Sequence, residues 1–129
     1  MLDASALLAL VHDEPGAEPV VEAIAIRAAI GIVNLAEVLS KLADAGKDPG
    51  EARRELLDAA DAQQALVVEP LTEADCVEVA RLRSMTRALG LSLADRACLA
   101  LAKRLAVPVL TADRTWTQAD LEVAVRLIR

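Results

Sequence analysis

Five short apolar runs, separated by longer stretches with helical spacing, constrain the fold of this chain more than any other feature. They are Met1–Asp3, which reads as the end of a short strand, then Ala29–Val33, Leu66–Glu69, Val107–Thr111 and Val123–Ile128. Short aliphatic runs of this kind, with Arg126 the main polar break, suit strands covered on both faces. Pro108 falls near the start of its run, where a strand tolerates proline.

The intervening stretches read as helices. Ala4–Val11 is apolar and closes at the polar stretch His12–Gly16, and Ala17–Arg27 carries Val20, Val21 and Ile24 on one side. Asn34 is expected to cap a third helix, in which Leu35, Val38, Leu39 and Leu42 repeat at i, i+3, i+4 and i+7 before Gly46 ends it. Pro49–Ala62 is a more charged helix, Thr72 opens one running to about Leu89 with Gly90 as its stop, and Ser92 caps one running to about Leu105. Strands alternating with helices imply a parallel sheet with right-handed crossovers. The expected fold is α/β, a three-layer α/β/α sandwich with about five parallel strands. At 129 residues it is expected to form one domain over 1–129.

Composition narrows the function classes. Apolar residues make up 55% and charged residues 26%, too apolar for intrinsic disorder. Trp116 is the one aromatic residue, so the core is aliphatic. Fourteen basic against twenty acidic side chains give a net charge of −6. Bulk charge therefore does not hold nucleic acid, and any such binding needs a local basic patch or a metal. No apolar run approaches the roughly 18 residues of a spanning helix. The start MLDASALLALVHDE has no basic region and an acid at position three, which speaks against a signal peptide and for a cytoplasmic protein. Cys76 and Cys98 have no paired spacing and are expected to be reduced, buried thiols. One histidine, His12, leaves almost nothing to build a zinc site on.

Open parallel sheets bind ligands beyond the carboxyl ends of their strands. Asp3 follows the first run directly, Asp113 follows VPVLT by one residue, and Glu37 lies just beyond the Ala29–Val33 run. These three acids belong to one rim. Asp95 lies three residues after Ser92, in a helix (LADRACLALA) that is otherwise apolar or small apart from Arg96. Such a helix is buried, and an acid in it needs a partner. Singly, each acid has a plain structural role: Asn34-x-x-Glu37 and Ser92-x-x-Asp95 fit or nearly fit a capping box, Asp3 can cap a helix, and Asp113 can sit in a turn. Together, four anions at one rim repel unless a cation neutralises them. Oxygen ligands without His or Cys suit Mg²⁺ or Mn²⁺, and such ions hydrolyse phosphodiesters.

The segments LDASALLAL, VNLAEVLSKL, LSLADRACLALA and VLTADRTW carry a family resemblance. In this order and spacing they resemble the four motifs of PIN-domain ribonucleases, and most of all the VapC-type toxins of type II toxin–antitoxin pairs. The resemblance covers essentially the whole chain. It implies a metal-dependent endoribonuclease using Mg²⁺ or Mn²⁺, a homodimer, and a cognate antitoxin that blocks the acidic site. It makes Asp3, Glu37, Asp95 and Asp113 the expected catalytic and metal-binding carboxylates, with Ser5 and Thr111 at supporting polar positions. One departure stands out: family members carry a few apolar residues before the DAS motif, whereas two residues precede Asp3 here. The edge around Asp3 is accordingly expected to be less stable.

Arg96 and Arg114, each beside a motif acid, are candidates for holding RNA phosphates. Arg83 and Arg87 read rather as solvated or paired with carboxylates. Trp116 either stacks on a base or, the better reading, packs beside the Asp113 loop or meets the partner. His12 is expected to be exposed and uninvolved. The first two helices offer a possible dimer or antitoxin surface, though most of their apolar residues are expected in the core. Two alternatives remain beside the ribonuclease. An aspartyl-nucleophile phosphatase wants a second acid two residues after the first, where this chain has Ser5. A catalytically idle PIN-like module would only bind a partner.

Overall fold

In the computed structural model, which describes residues 1–61, 65–119 and 121–129, six helices alternate with short parallel strands. The helices are α1 (Ala4–Val11), α2 (Ala17–Ala25), α3 (Ile32–Asp44), α4 (Pro49–Asp61), α5 (Glu73–Thr86) and α6 (Leu93–Leu105). The strands are β1 (Ala28–Gly31), β2 (Leu66–Glu69), β3 (Val109–Thr111) and β4 (Val125–Leu127). Single 3₁₀ turns cover Arg87–Leu89 and Arg114–Gln118. Ala62, the expected last residue of the fourth helix, lies outside the described residues.

β1 pairs with β2 in register Ala28↔Leu66 to Gly31↔Glu69, and β3 pairs with β4 in register Val109↔Val125 to Thr111↔Leu127, both parallel. Leu2 joins the two pairs through parallel bridges to Ile30 and Leu110. The Leu2 amide donates to the Ala29 carbonyl at 2.7 Å, and the Leu110 amide donates to the Met1 carbonyl at 2.9 Å. The arrangement is therefore four strands and a one-residue bridge among the described residues, short of the expected five strands. Asp3 already caps α1, so the chain leaves the ladder as soon as it has made the bridge.

Strand alternation sends side chains to two separate apolar clusters. Leu2, Ala28 and Ile30 join α1, α3 and Val20 in one cluster, with Leu110 packed against it. Met1 and Val109 join α6, Val79, Leu82 and Trp116 in the other, with Ala29 packed against it. This period of two is what places helices on both faces of the strands. The second cluster is almost wholly aliphatic, and Ala97–Ala102 are all buried within it. α5 is tied to α6 by Arg104 Nε donating to Asp75 Oδ1 at 3.0 Å and Lys103 Nζ donating to Glu78 Oε1 at 2.8 Å. Burial acts to raise the Asp75 pKa, but the Thr72 amide and hydroxyl and the Arg104 guanidinium outweigh it and hold the carboxyl below its ordinary value.

Several boundaries differ from the periodicity. β1 ends at Gly31 and α3 begins at Ile32, so Gly31 and not Asn34 is the cap residue. A β-carbon on Gly31 would lie 2.6 Å from Leu101 Cδ1, so a larger residue where β1 turns into α3 would force that side chain to shift. α2 stops at Ala25 because Arg27 takes a left-handed conformation (φ 78°) that a helix cannot continue through. β4 is shorter than Val123–Ile128 because β3 offers it only three residues to pair with.

Candidate active site

Asp3 is the centre of the rim. Its carboxylate caps α1, with Oδ1 accepting from the Ala6 amide at 2.7 Å. The Ser5 hydroxyl donates to both oxygens at 2.8 Å, and the fully buried Thr111 hydroxyl donates to Oδ2 at 2.7 Å. Ser5 Oγ accepts from the Ala112 amide at 2.9 Å, and Thr111 Oγ1 accepts from the Asp113 amide at 3.0 Å. Two hydroxyls thus lock the end of β3 to the start of α1. Asp3 is only 3% exposed. Burial raises its pKa, the hydrogen bonds from Thr111, Ala6 and Ser5 pull it back, and the charge of Asp95 raises it again. The net direction is upward, because loss of water around the buried carboxylate outweighs its hydrogen bonds, with the charge of Asp95 a minor addition.

Asp95 stands in the first turn of α6 as half of a complete capping box. Ser92 Oγ accepts from the Asp95 amide at 3.1 Å, and Asp95 Oδ2 accepts from the Ser92 amide at 2.6 Å. Its carboxyl is half-buried and acts electrically on Asp3. On the same helix, the fully buried Cys98 thiol donates to the Leu2 carbonyl at 3.7 Å. Burial first, then the charges of Asp3 and Asp95, push that thiol well above its ordinary pKa, which makes it inert.

Glu37 lies in the second turn of α3 and pairs with Lys41 at 3.2 Å. Because α3 starts at Ile32, Asn34-x-x-Glu37 is no capping box. Asp113 is exposed and turns its carboxylate onto the Thr115 amide at 2.8 Å, capping the turn Arg114–Gln118. Ser5 and Thr111 are joined to Asp3 by hydrogen bonds, Thr111 links the Asp113 amide to the same network, and the Asp95 charge reaches Asp3 only weakly. The Glu37 and Asp113 carboxylates rest on other protein donors. Among the described residues, no three His, Cys, Asp or Glu side chains are gathered closely enough to hold a metal ion. The chemistry of the donor set nevertheless suits a hard divalent cation: all four groups are carboxylates, and the buried one binds a proton more tightly than usual. Glu37, Asp95 and Asp113 each engage one carboxylate oxygen in their present contact and keep the other for an ion.

Among the other candidates, Arg96 is buried, its Nε donating to the Ser92 carbonyl at 3.2 Å and its Nη1 to the Val79 carbonyl at 3.3 Å. Its place is between α5 and α6. Arg114, Arg83 and Arg87 are exposed. Trp116 is fully buried, packed behind the Asp113 loop as the better reading held. His12 is exposed at the end of α1. Both thiols are free, but Cys76 is exposed, against expectation, because it follows the buried Asp75 on the outward side of α5. α2 exposes Val21, with Ile26 just beyond it, leaving more apolar surface outside the core than expected. Asn34 is the residue that sequence reasoning misplaced. It is fully buried, with Nδ2 donating to the Ala94 carbonyl at 3.2 Å. Its signal was present: it stands four residues before Val38, on the apolar side of the helix.

A family model for the PIN domain matches residues 1–121. The chain belongs to the PIN domain family. PIN domains are α/β folds and are generally metal-dependent nucleases, in keeping with the helices and parallel strands of this chain. No curated protein matches the chain. No helix among the described residues is long and apolar enough to cross a membrane.

Proposed function

We propose that this PIN domain, taken as one unit over 1–129, is a VapC-type endoribonuclease toxin. It cleaves RNA with Mg²⁺ or Mn²⁺, acts in the cytoplasm as a homodimer and is silenced by a cognate antitoxin. The observation that supports this best is the buried Asp3 carboxylate with its raised pKa, held by two hydroxyls within the field of Asp95. An uncompensated acid at the carboxyl end of parallel strands is where a divalent cation gains most.

In this reading Asp3, Glu37, Asp95 and Asp113 hold the ion. A bound divalent cation supplies an activated water and neutralises charge on the phosphate. The chain does the rest. Thr111 and Ser5 keep Asp3 in one orientation, and Thr111 also fixes the backbone of Asp113. Asp95 and Glu37 would each offer the ion the oxygen that does not rest on the Ser92 amide or on Lys41. Arg114, exposed beside Asp113, would meet an RNA phosphate. Arg96 contributes by keeping α6 in place, since its guanidinium is spent on two carbonyls.

The test is cleavage of RNA by purified, antitoxin-free protein with Mn²⁺ or Mg²⁺. Asp3→Asn and Asp95→Asn are expected to lower the rate at least ~100-fold, the scale of losing groups that act as a unit, without lowering thermal stability. No cleavage by the wild type, or equal cleavage by the variants, overturns the proposal. One observation favours the idle binding module instead: Glu37, Asp95 and Asp113 already rest on protein donors. A calorimetric titration with Mn²⁺ separates the two, because an idle module takes up no ion.

A further inference from the structure

α3 and α6 carry Glu37 and Asp95, and one side chain ties their first turns together. Asn34, the third residue of α3, donates its Nδ2 to the carbonyl of Ala94, the residue before Asp95. The contact joins positions 60 residues apart. Asn34 is fully buried, and its Oδ1 is buried without a hydrogen-bond partner among the described residues. Flipping the amide would set Oδ1 against the Ala94 oxygen, so the orientation is forced. Leu35, Val38 and Leu42 on the same helix are buried in the aliphatic core. A leucine at position 34 would suit that surface and would remove the orphan acceptor. A lone unsatisfied carbonyl in a core costs stability, and departures of this kind concentrate where function demands them.

We infer that Asn34 is a positioning residue: its amide fixes the separation of Glu37 and Asp95 and so presets two of the four carboxylates for a divalent cation. The inference rests on the metal-dependent reading above. Ala94 is the second residue of α6 and Asp95 the third, so a shift of the Ala94 carbonyl carries Asp95 with it. Gly31, at the start of α3, lets the chain approach Leu101 of α6 closely, since Leu101 Cδ1 would lie 2.6 Å from a β-carbon placed there. Ser92 and Asp95 cap α6 whether or not Asn34 is present, so losing the strap does not undo the helix itself.

The experiment compares the wild type with Asn34→Leu and Asn34→Ser in three measurements: Mn²⁺ titration by calorimetry, thermal unfolding, and amide hydrogen exchange in the first turn of α6. Asn34→Leu is expected to unfold at the same temperature or higher, to bind Mn²⁺ about tenfold more weakly, the usual lower bound for losing a group that orients metal ligands, and to exchange the Asp95 and Arg96 amides faster. Asn34→Ser, which keeps a short donor, is expected to recover part of the affinity. Wild-type Mn²⁺ affinity in Asn34→Leu overturns the inference. If the wild type itself takes up no Mn²⁺, the metal-dependent reading falls and the presetting role with it; if the wild type binds Mn²⁺ but the Asp95 and Arg96 amides exchange unchanged in Asn34→Leu, this inference alone falls.

Discussion

Thr111→Val tests the hydroxyl lock on Asp3 with the least steric disturbance, because valine matches threonine in shape. Thr111 is fully buried and makes two short contacts, donating to Asp3 Oδ2 at 2.7 Å and accepting from the Asp113 amide at 3.0 Å. A hydrogen bond to a charged group contributes about 1.5–3 kcal/mol. The Asp113 amide lies at an exposed residue, where water replaces part of its bond, so its loss adds roughly 0.5 kcal/mol. The expected destabilisation is about 2–3.5 kcal/mol at neutral pH. For a chain of 129 residues, 1 kcal/mol corresponds to about 4 °C in Tm, so a fall of about 8–14 °C is expected. The effect also has a pH signature. Thr111 lowers the Asp3 pKa, so its removal moves that already raised value higher still. The wild-type advantage is therefore present above the folded-state pKa of Asp3 and shrinks as pH falls through it. Thermal unfolding of both proteins between pH 4 and pH 8 measures this. A loss below about 0.5 kcal/mol at neutral pH, the scale of an ordinary surface substitution, or a loss that does not diminish in acid, would refute the assignment of Thr111 as a group that favours the charged form of Asp3.

Other outcomes follow from the same packing. Because burial raises the Asp3 pKa, the folded protein binds that proton more tightly than the unfolded chain does. Wild-type stability should then fall as pH rises from the ordinary aspartate value through the raised one. Asp3→Asn should escape this fall, matching or exceeding the wild type in unfolding temperature at neutral pH and losing its advantage in acid; a wild type that gains on the variant with rising pH contradicts the reasoning. Trp116→Ala removes the largest fully buried side chain and should cost about 3–5 kcal/mol in denaturant unfolding. Trp116→Phe should cost less, since the indole nitrogen it removes has no partner among the described residues. Gly31→Ala drives a methyl group to within 2.6 Å of Leu101 Cδ1 and should destabilise by about 1–3 kcal/mol, measured the same way, because fully buried Leu101 has little room to yield.

The alternation of apolar runs with helical stretches was enough to place every helix and four of the strands, because those signals are local: a period of two or of 3.6 is written in neighbouring residues. Ser92 with Asp95, and Thr72 as a cap, were legible for the same reason, since a capping bond spans only three residues. The sequence also placed Asp3 and Asp113 beside strand ends, and it placed Ser5 and Thr111 close to those acids along the chain.

What needed the tertiary structure lies in contacts between distant residues. Asn34 reads as a cap until Ala94 is brought against it and Gly31 is seen to end the strand. Arg96 and Arg114 look alike beside their motif acids, yet one is buried on two carbonyls and the other is open to solvent. Residue type and spacing determined that an α/β chain of this family would carry acids at one end of its strands. Only the folded packing decided which of those acids loses its water: burial depends on what distant segments cover, and it is burial that raises the affinity of Asp3 for a positive charge.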